Sequence, residues 1–236
     1  MSSTILPYKI TGAYEAFLAE FQKVIEDADG RVVEPSAIPS CFRQSAQTDS
    51  VDFEMCLRVK KCPCKKQLPR GKQLDIVIKA LERLEKGSWS LVRSTVYVNY
   101  FLLTDSTARL VRAFHYDFEK GGQVAHPLFH MQLLDETIPE PDLRSVGFEG
   151  TTKLPEEALE SCIGTRIPTA DMTLSSVLYC LVADHLEAPA FGHFAKNVRS
   201  IQDRLPTLGF DTLKASLEAS AAHFKSSHWF AHAHAG

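Results

Sequence analysis

The chain has 236 residues, 44% apolar and 23% charged, which is ordinary for a soluble globular protein and enough to bury a substantial core. A formal charge of −3 gives no general attraction to nucleic acid or anionic membrane. No segment reaches the roughly 18 consecutive apolar residues of a membrane span, and MSSTILPYK does not read as a signal peptide, so a cytoplasmic protein without a membrane partner is expected.

Residues 11–28 place Tyr14, Phe17, Leu18, Phe21, Val24, Ile25 and Ala28 at spacings of three and four, the stripe of an amphipathic helix that Gly30 ends. A loop rich in Pro, Ser and Gln follows to about Ser50. Residues 51–60 alternate, with Val51, Phe53, Met55, Leu57 and Val59 against Asp52, Glu54, Cys56, Arg58 and Lys60, as in a half-buried strand. KKCPCKKQLPRGK, residues 60–72, reads as a solvated basic loop, with phosphate contact as the alternative. The cysteines are too scattered for a disulfide framework. Cys62 and Cys64, one residue apart with no matching pair, lack the spacing of structural zinc ligands, so free thiols are expected.

Residues 72–86 are predicted to form a helix, from Leu74, Val77, Ile78, Leu81 and Leu84 with Gly87 as its stop. From residue 89 to 103 a strand sets Val92, Val96, Val98, Tyr100 and Leu102 against Arg93, Thr95, Tyr97 and Asn99. Two further strands, about 108–119 and 123–134, flank Gly121-Gly122. A two-residue primed turn there pairs Lys120 with Gln123. Phe118 then faces Ala125, Phe114 faces Phe129 and Leu110 faces Leu133, while Asp117 faces His126 and His115 faces Leu128. Across the preceding connection, a loop of Asp105 to Thr107 pairs Leu102 with Leu110, Tyr97 with His115 and Thr95 with Asp117.

A long connection after Glu136 leads to a short helix from Pro155 to Cys162. Helices are then expected over 173–186, capped by Asp171 or Thr173, over 190–204, and after Asp211. His185 reads as a satisfied core histidine, while His228 and His232 stand one helical turn apart in the tail. The expected architecture is α+β: a single domain over 1–236, with an antiparallel sheet of about four strands (51–60, 89–103, 108–119, 123–134) covered by N-terminal and C-terminal helices, the latter from about 155.

One sheet face collects the groups that can carry chemistry. His115, Asp117 and His126 suit a divalent metal such as zinc or manganese. His126 and His130, roughly 13 Å apart on a straight strand, cannot share an ion. Without a metal, His115, Asp117, His126 and His130 suit acid–base hydrolysis of a phosphodiester, with Arg93, Tyr97 and Gln132 holding the substrate. The expected function is thus a hydrolase acting on a small molecule or nucleic acid. The rival is a non-catalytic binding or complex-forming subunit, a homo- or hetero-oligomer, whose polar face is structural. No nucleotide-binding loop, nucleophile elbow or HExxH pattern occurs.

Overall fold

A computed structural model describes residues 8–34, 37–44, 49–64, 68, 70–104, 108–119, 129–133, 138–149, 166–168 and 173–206. The predicted helices at Pro155 and Asp211, the tail histidines, His126, the Asp105–Thr107 loop and the Gly121-Gly122 turn lie outside these residues.

Helix α1 spans Tyr8–Glu26 and leads through a turn to strand β1, Arg31–Val33. A 3-10 turn, Ile38–Cys41, precedes β2, Phe42–Gln44. Four long strands follow: β3 Ser50–Lys60, β4 Gln73–Glu85, β5 Leu91–Leu103 and β6 Ala108–Glu119. The remaining elements are β7 Phe129–Leu133, α2 Glu140–Ser145, β8 Arg166–Pro168, α3 Leu174–His185 and α4 Ala188–Gln202. Every strand pairing is antiparallel. The hydrogen-bonded path runs β1-β3-β4-β5-β6-β7-β8, seven strands rather than about four, with β2 beside β3 on the edge that β1 also uses.

The largest correction is β4. Within the expected helix 72–86, Gln73–Glu85 form a strand in the interior of the sheet. Leu74, Ile76, Ile78, Ala80 and Leu84 are buried on the face that carries the helices, and Val77 is buried in a second cluster on the other face. Its alternation is broken on both faces, by Glu82 among the apolar residues and by Val77 and Leu81 among Gln73, Asp75, Lys79, Arg83 and Glu85. The apparent helical stripe therefore mixed residues of two faces, Leu74, Ile78 and Leu84 from one, Val77 and Leu81 from the other. The helix-forming run KALERLEK is overridden by pairing with β3 and β5.

Helices α1, α3 and α4 cover the first face. Phe21, Phe53, Phe194 and Val198 are buried there, and the rings of Phe17 and Phe194 meet edge-on at 5.7 Å. Asn197 Nδ2 donates to Glu20 Oε2 at 2.8 Å, joining α4 to α1. Thr173 caps α3, its hydroxyl accepting from the Ser176 backbone at 3.3 Å, as its position predicts.

One polar side chain interrupts this apolar layer. Glu82, 3% exposed, accepts from the Tyr14 hydroxyl at 2.5 Å, from the Leu174 backbone N–H at 2.8 Å and from Ser94 Oγ at 3.4 Å. The carboxylate thus touches α1, β5 and the first turn of α3, whose N–H groups have no partner within the helix. Burial, reinforced by the charge and hydrogen bond of Glu82, pushes the Tyr14 hydroxyl well above its ordinary value. The folded state keeps this proton while an unfolded chain releases it above about pH 10, so the stability it provides is complete below that pH and declines above it. Burial pushes Tyr100 and Tyr116 in the same direction. Tyr14→Phe is expected to cost about 2 kcal/mol at neutral pH and to lessen the alkaline decline; urea midpoints at neutral and strongly alkaline pH measure both.

Candidate functional site

The candidate face is the sheet surface opposite α1, α3 and α4. Between β5 and β6 the register is the expected one over its central part: Thr95 pairs with Asp117, Tyr97 with His115 and Asn99 with Ala113. A bulge then intervenes, so that Phe101 pairs with Leu110, and Leu102 with Arg109 rather than Leu110. The extra residue turns Leu110 away from Phe114 and buries it with Phe101 and Ala113.

Between β6 and β7 the expected register is overturned. Phe118 pairs with Phe129 instead of Ala125, Asp117 with His130 instead of His126, His115 with Gln132 instead of Leu128, and Phe114 with Leu133 instead of Phe129. The displacement is four residues, an even number, so every residue keeps its face while every partner changes. The glycine pair is a local turn signal. The described part of this strand is Phe129–Leu133, and the expected residues 123–128 lie outside the described residues. Leu110 and Leu133 do not pair, since Leu133 faces Phe114.

The new register produces two rows across the sheet. One runs Leu81, Thr95, Asp117, His130 and Pro168; the next runs Lys79, Tyr97, His115, Gln132 and Arg166. Lys79 and Arg166 were not anticipated. The first stands in a segment with helical spacing and the second between two expected helices, so neither carries a strand signal.

Asp117 is half-buried and accepts from Thr95 Oγ1 at 2.6 Å. The rings of Tyr97 and His115, both half-buried, meet edge-on at 5.8 Å. Arg93 is exposed and lines a shallow pocket of about 230 Å³ with Asp52, Glu54 and Arg83. His126 lies outside the described residues, and the description of His130 is limited to its backbone pairing. Among the described residues no three His, Cys, Asp or Glu side chains converge as a metal-holding group.

Toward the other end of these strands the same face is closed by α2 and the turn after it. Ile138, Leu143, Val146 and Phe148 pack on Val77, Phe101 and Leu110. Lys79 reaches Asp142 at 2.7 Å and Glu54 at 3.0 Å. Burial works against its charge, but hydrogen bonds to both carboxylates outweigh it and hold the Lys79 pKa above its ordinary value. Cys56 donates weakly to the Asp142 carbonyl at 3.6 Å, and burial, helped by Asp142, pushes its thiol up to about 12.

Arg58 is the main fastening. Its Nε donates to Asp75 Oδ2 at 2.8 Å, its Nη1 donates to the Gly147 carbonyl, and its guanidinium lies 4.8 Å over the Phe148 ring. The second carboxylate oxygen of Asp75 accepts from the Lys61 backbone at 2.9 Å and from Gln73 Nε2 at 2.7 Å. Beside this closed part, Asn99 is fully buried and neither polar atom of its amide has a hydrogen-bond partner among the described residues.

Comparison with protein-family models, curated proteins and solved structures finds no match to this chain. Geometry alone therefore carries the functional reading. No helix among the described residues is long and apolar enough to cross a membrane.

Asp75→Ala is expected to destabilise the fold by about 3–5 kcal/mol, because it leaves the Arg58 guanidinium buried without its counter-charge. Replacing Arg58 and Asp75 together by Met and Leu is expected to recover most of that loss, as read from urea unfolding.

Proposed function

We propose that the protein is a hydrolase that cleaves phosphodiesters by acid–base chemistry on the open part of this face, with His115 and His130 as the proton-transferring pair. The observation that carries this reading is the β6–β7 register, which sets His130 opposite Asp117 and diagonal to His115. In that arrangement one imidazole takes the proton of the attacking hydroxyl or water and the other returns a proton to the departing oxygen, near neutral pH. Asp117, held by Thr95, orients the neighbouring imidazole and stabilises its charged form. Tyr97 and Gln132, which pair with His115 from the two flanking strands, supply donors for the phosphate oxygens, and Arg93 supplies positive charge at the rim. A zinc or manganese ion held by His115, Asp117 and His126 is the alternative chemistry.

The second reading is a binding or complex-forming subunit. It draws support from the hydrogen bond that already occupies Asp117 and from the ion pairs that engage Lys79 with Glu54 and Asp142. Incubation of the purified, untagged chain with a single-stranded RNA oligonucleotide separates these readings. The hydrolase reading expects cleavage that persists in chelator, with a bell-shaped pH profile, and that falls by about 10²- to 10⁴-fold in His115→Ala and in His130→Ala. Cleavage abolished by chelator and restored by zinc or manganese transfers the site to the metal. Failure of the folded wild-type chain to cleave any phosphodiester sinks the hydrolase reading and leaves the binding subunit.

A further inference from the structure

The turn after β3 and the end of α3 bring together groups that the His115 face does not use. Cys64 Sγ lies 3.2 Å from His185 Nδ1, within hydrogen-bond reach of a thiol and an imidazole. Cys62 is buried at 6% exposure, whereas Cys64 is half-buried. The Cys64 N–H donates to the Cys62 carbonyl at 2.8 Å and the Cys62 N–H to Leu74 O at 2.7 Å, so the tight turn is fixed to β4. Gly30 presses on the turn from the other side: a Cβ there would stand 2.9 Å from Pro63 Cδ. A pocket of about 470 Å³, lined by Asp29, Lys61, Cys62, Pro63, Cys64 and Leu68, opens this turn to solvent.

We propose that Cys64 is a peroxide-reactive thiol, with His185 as its proton acceptor and Cys62 as the resolving thiol of a Cys62–Cys64 disulfide. The two cysteines differ in the way such a pair requires. The partly exposed sulfur sits against a base, and the buried one waits beside it. Burial, then the neighbouring Cys64 and Asp75, push the Cys62 thiol up to about 12, so Cys64, not Cys62, is the sulfur that meets the peroxide first.

In the first step the Cys64 proton passes to His185 Nδ1 and the sulfur attacks the terminal oxygen of a hydroperoxide. The S–O bond forms as O–O breaks, and the departing alkoxide or hydroxide recovers the proton as alcohol or water. Sulfur is oxidised by two electrons and the peroxide reduced by two. In the second step Cys62 attacks the Cys64 sulfenic sulfur; S–S forms, S–O breaks, and water leaves with the Cys62 proton. A dithiol reductant reverses the result. Forming the bridge removes the Cys64 thiol from His185, which loosens the end of α3 from the turn.

The test is hydrogen peroxide added to the reduced full chain, followed by tryptic mapping of the Cys62–Lys65 peptide. The expected product has lost two hydrogens, at a rate at least tenfold above the oxidation of glutathione in the same buffer. In Cys62→Ser, dimedone is expected to trap a sulfenic acid on Cys64, and His185→Gln is expected to slow the reaction at least tenfold. Oxidation of Cys64 in the wild-type chain no faster than that of glutathione overturns the proposal, as does bridge formation at an unchanged rate in folded His185→Gln.

Discussion

A carboxylate buried beneath the N-terminus of a helix ties the layers of this protein together. Glu82 projects from the central strand into an otherwise apolar interior and meets a hydroxyl from α1, a backbone N–H from α3 and a serine from β5. Removing such a group from water costs several kcal/mol, and only well-placed donors offset it. The first turn of α3 supplies both a donor and the positive end of the helix dipole. These donors come from α1, β5 and α3, elements far apart in sequence, so the carboxylate is satisfied only when all three are docked. It thus contributes to the uniqueness of the fold as well as to its stability.

The opposite face is divided. Its part under α2 is closed by apolar packing and by Arg58, whose charge is matched by Asp75 and whose Nη1 donates to the turn after α2. Its part nearer the start of β5 stays polar and half-open, and there Tyr97, His115, Asp117 and Gln132 stand in neighbouring rows. The boundary between the two parts coincides with the β5–β6 bulge and with Asn99. A fully buried amide without a partner among the described residues is costly. It lies between a packed apolar cluster and the polar rows of the same face.

The two proposed sites differ in how they are assembled. The His115 face depends on pairing between neighbouring strands, so its rows follow directly from register. The Cys64–His185 contact joins residues 121 positions apart and exists only because α3 ends over the turn after β3. His185 was expected on the apolar stripe of α3 as a core histidine. It does lie on the packed side, with the Tyr100 ring 5.8 Å away, and its Nδ1 meets the Cys64 sulfur.

What the sequence determined by itself are the features whose cause is local. The stripe of Tyr14, Phe17 and Phe21 makes α1, Thr173 starts α3, and alternation makes β3, β5 and β6. The pairings of Thr95 with Asp117 and Tyr97 with His115 were legible too, because matching polar to polar and apolar to apolar leaves few registers. Tertiary structure decided the rest. β4 is a strand although Glu82 on its apolar face and Val77 and Leu81 on its polar face blur the two-residue period, and only pairing with β3 and β5 selects its form. β7 pairs four residues away from the register that a Gly121-Gly122 turn would set, an even shift that leaves both faces intact and is therefore invisible to an argument from parity. The seven-strand path and the passage of α2 across the second face rest on contacts between distant segments, which no local pattern records.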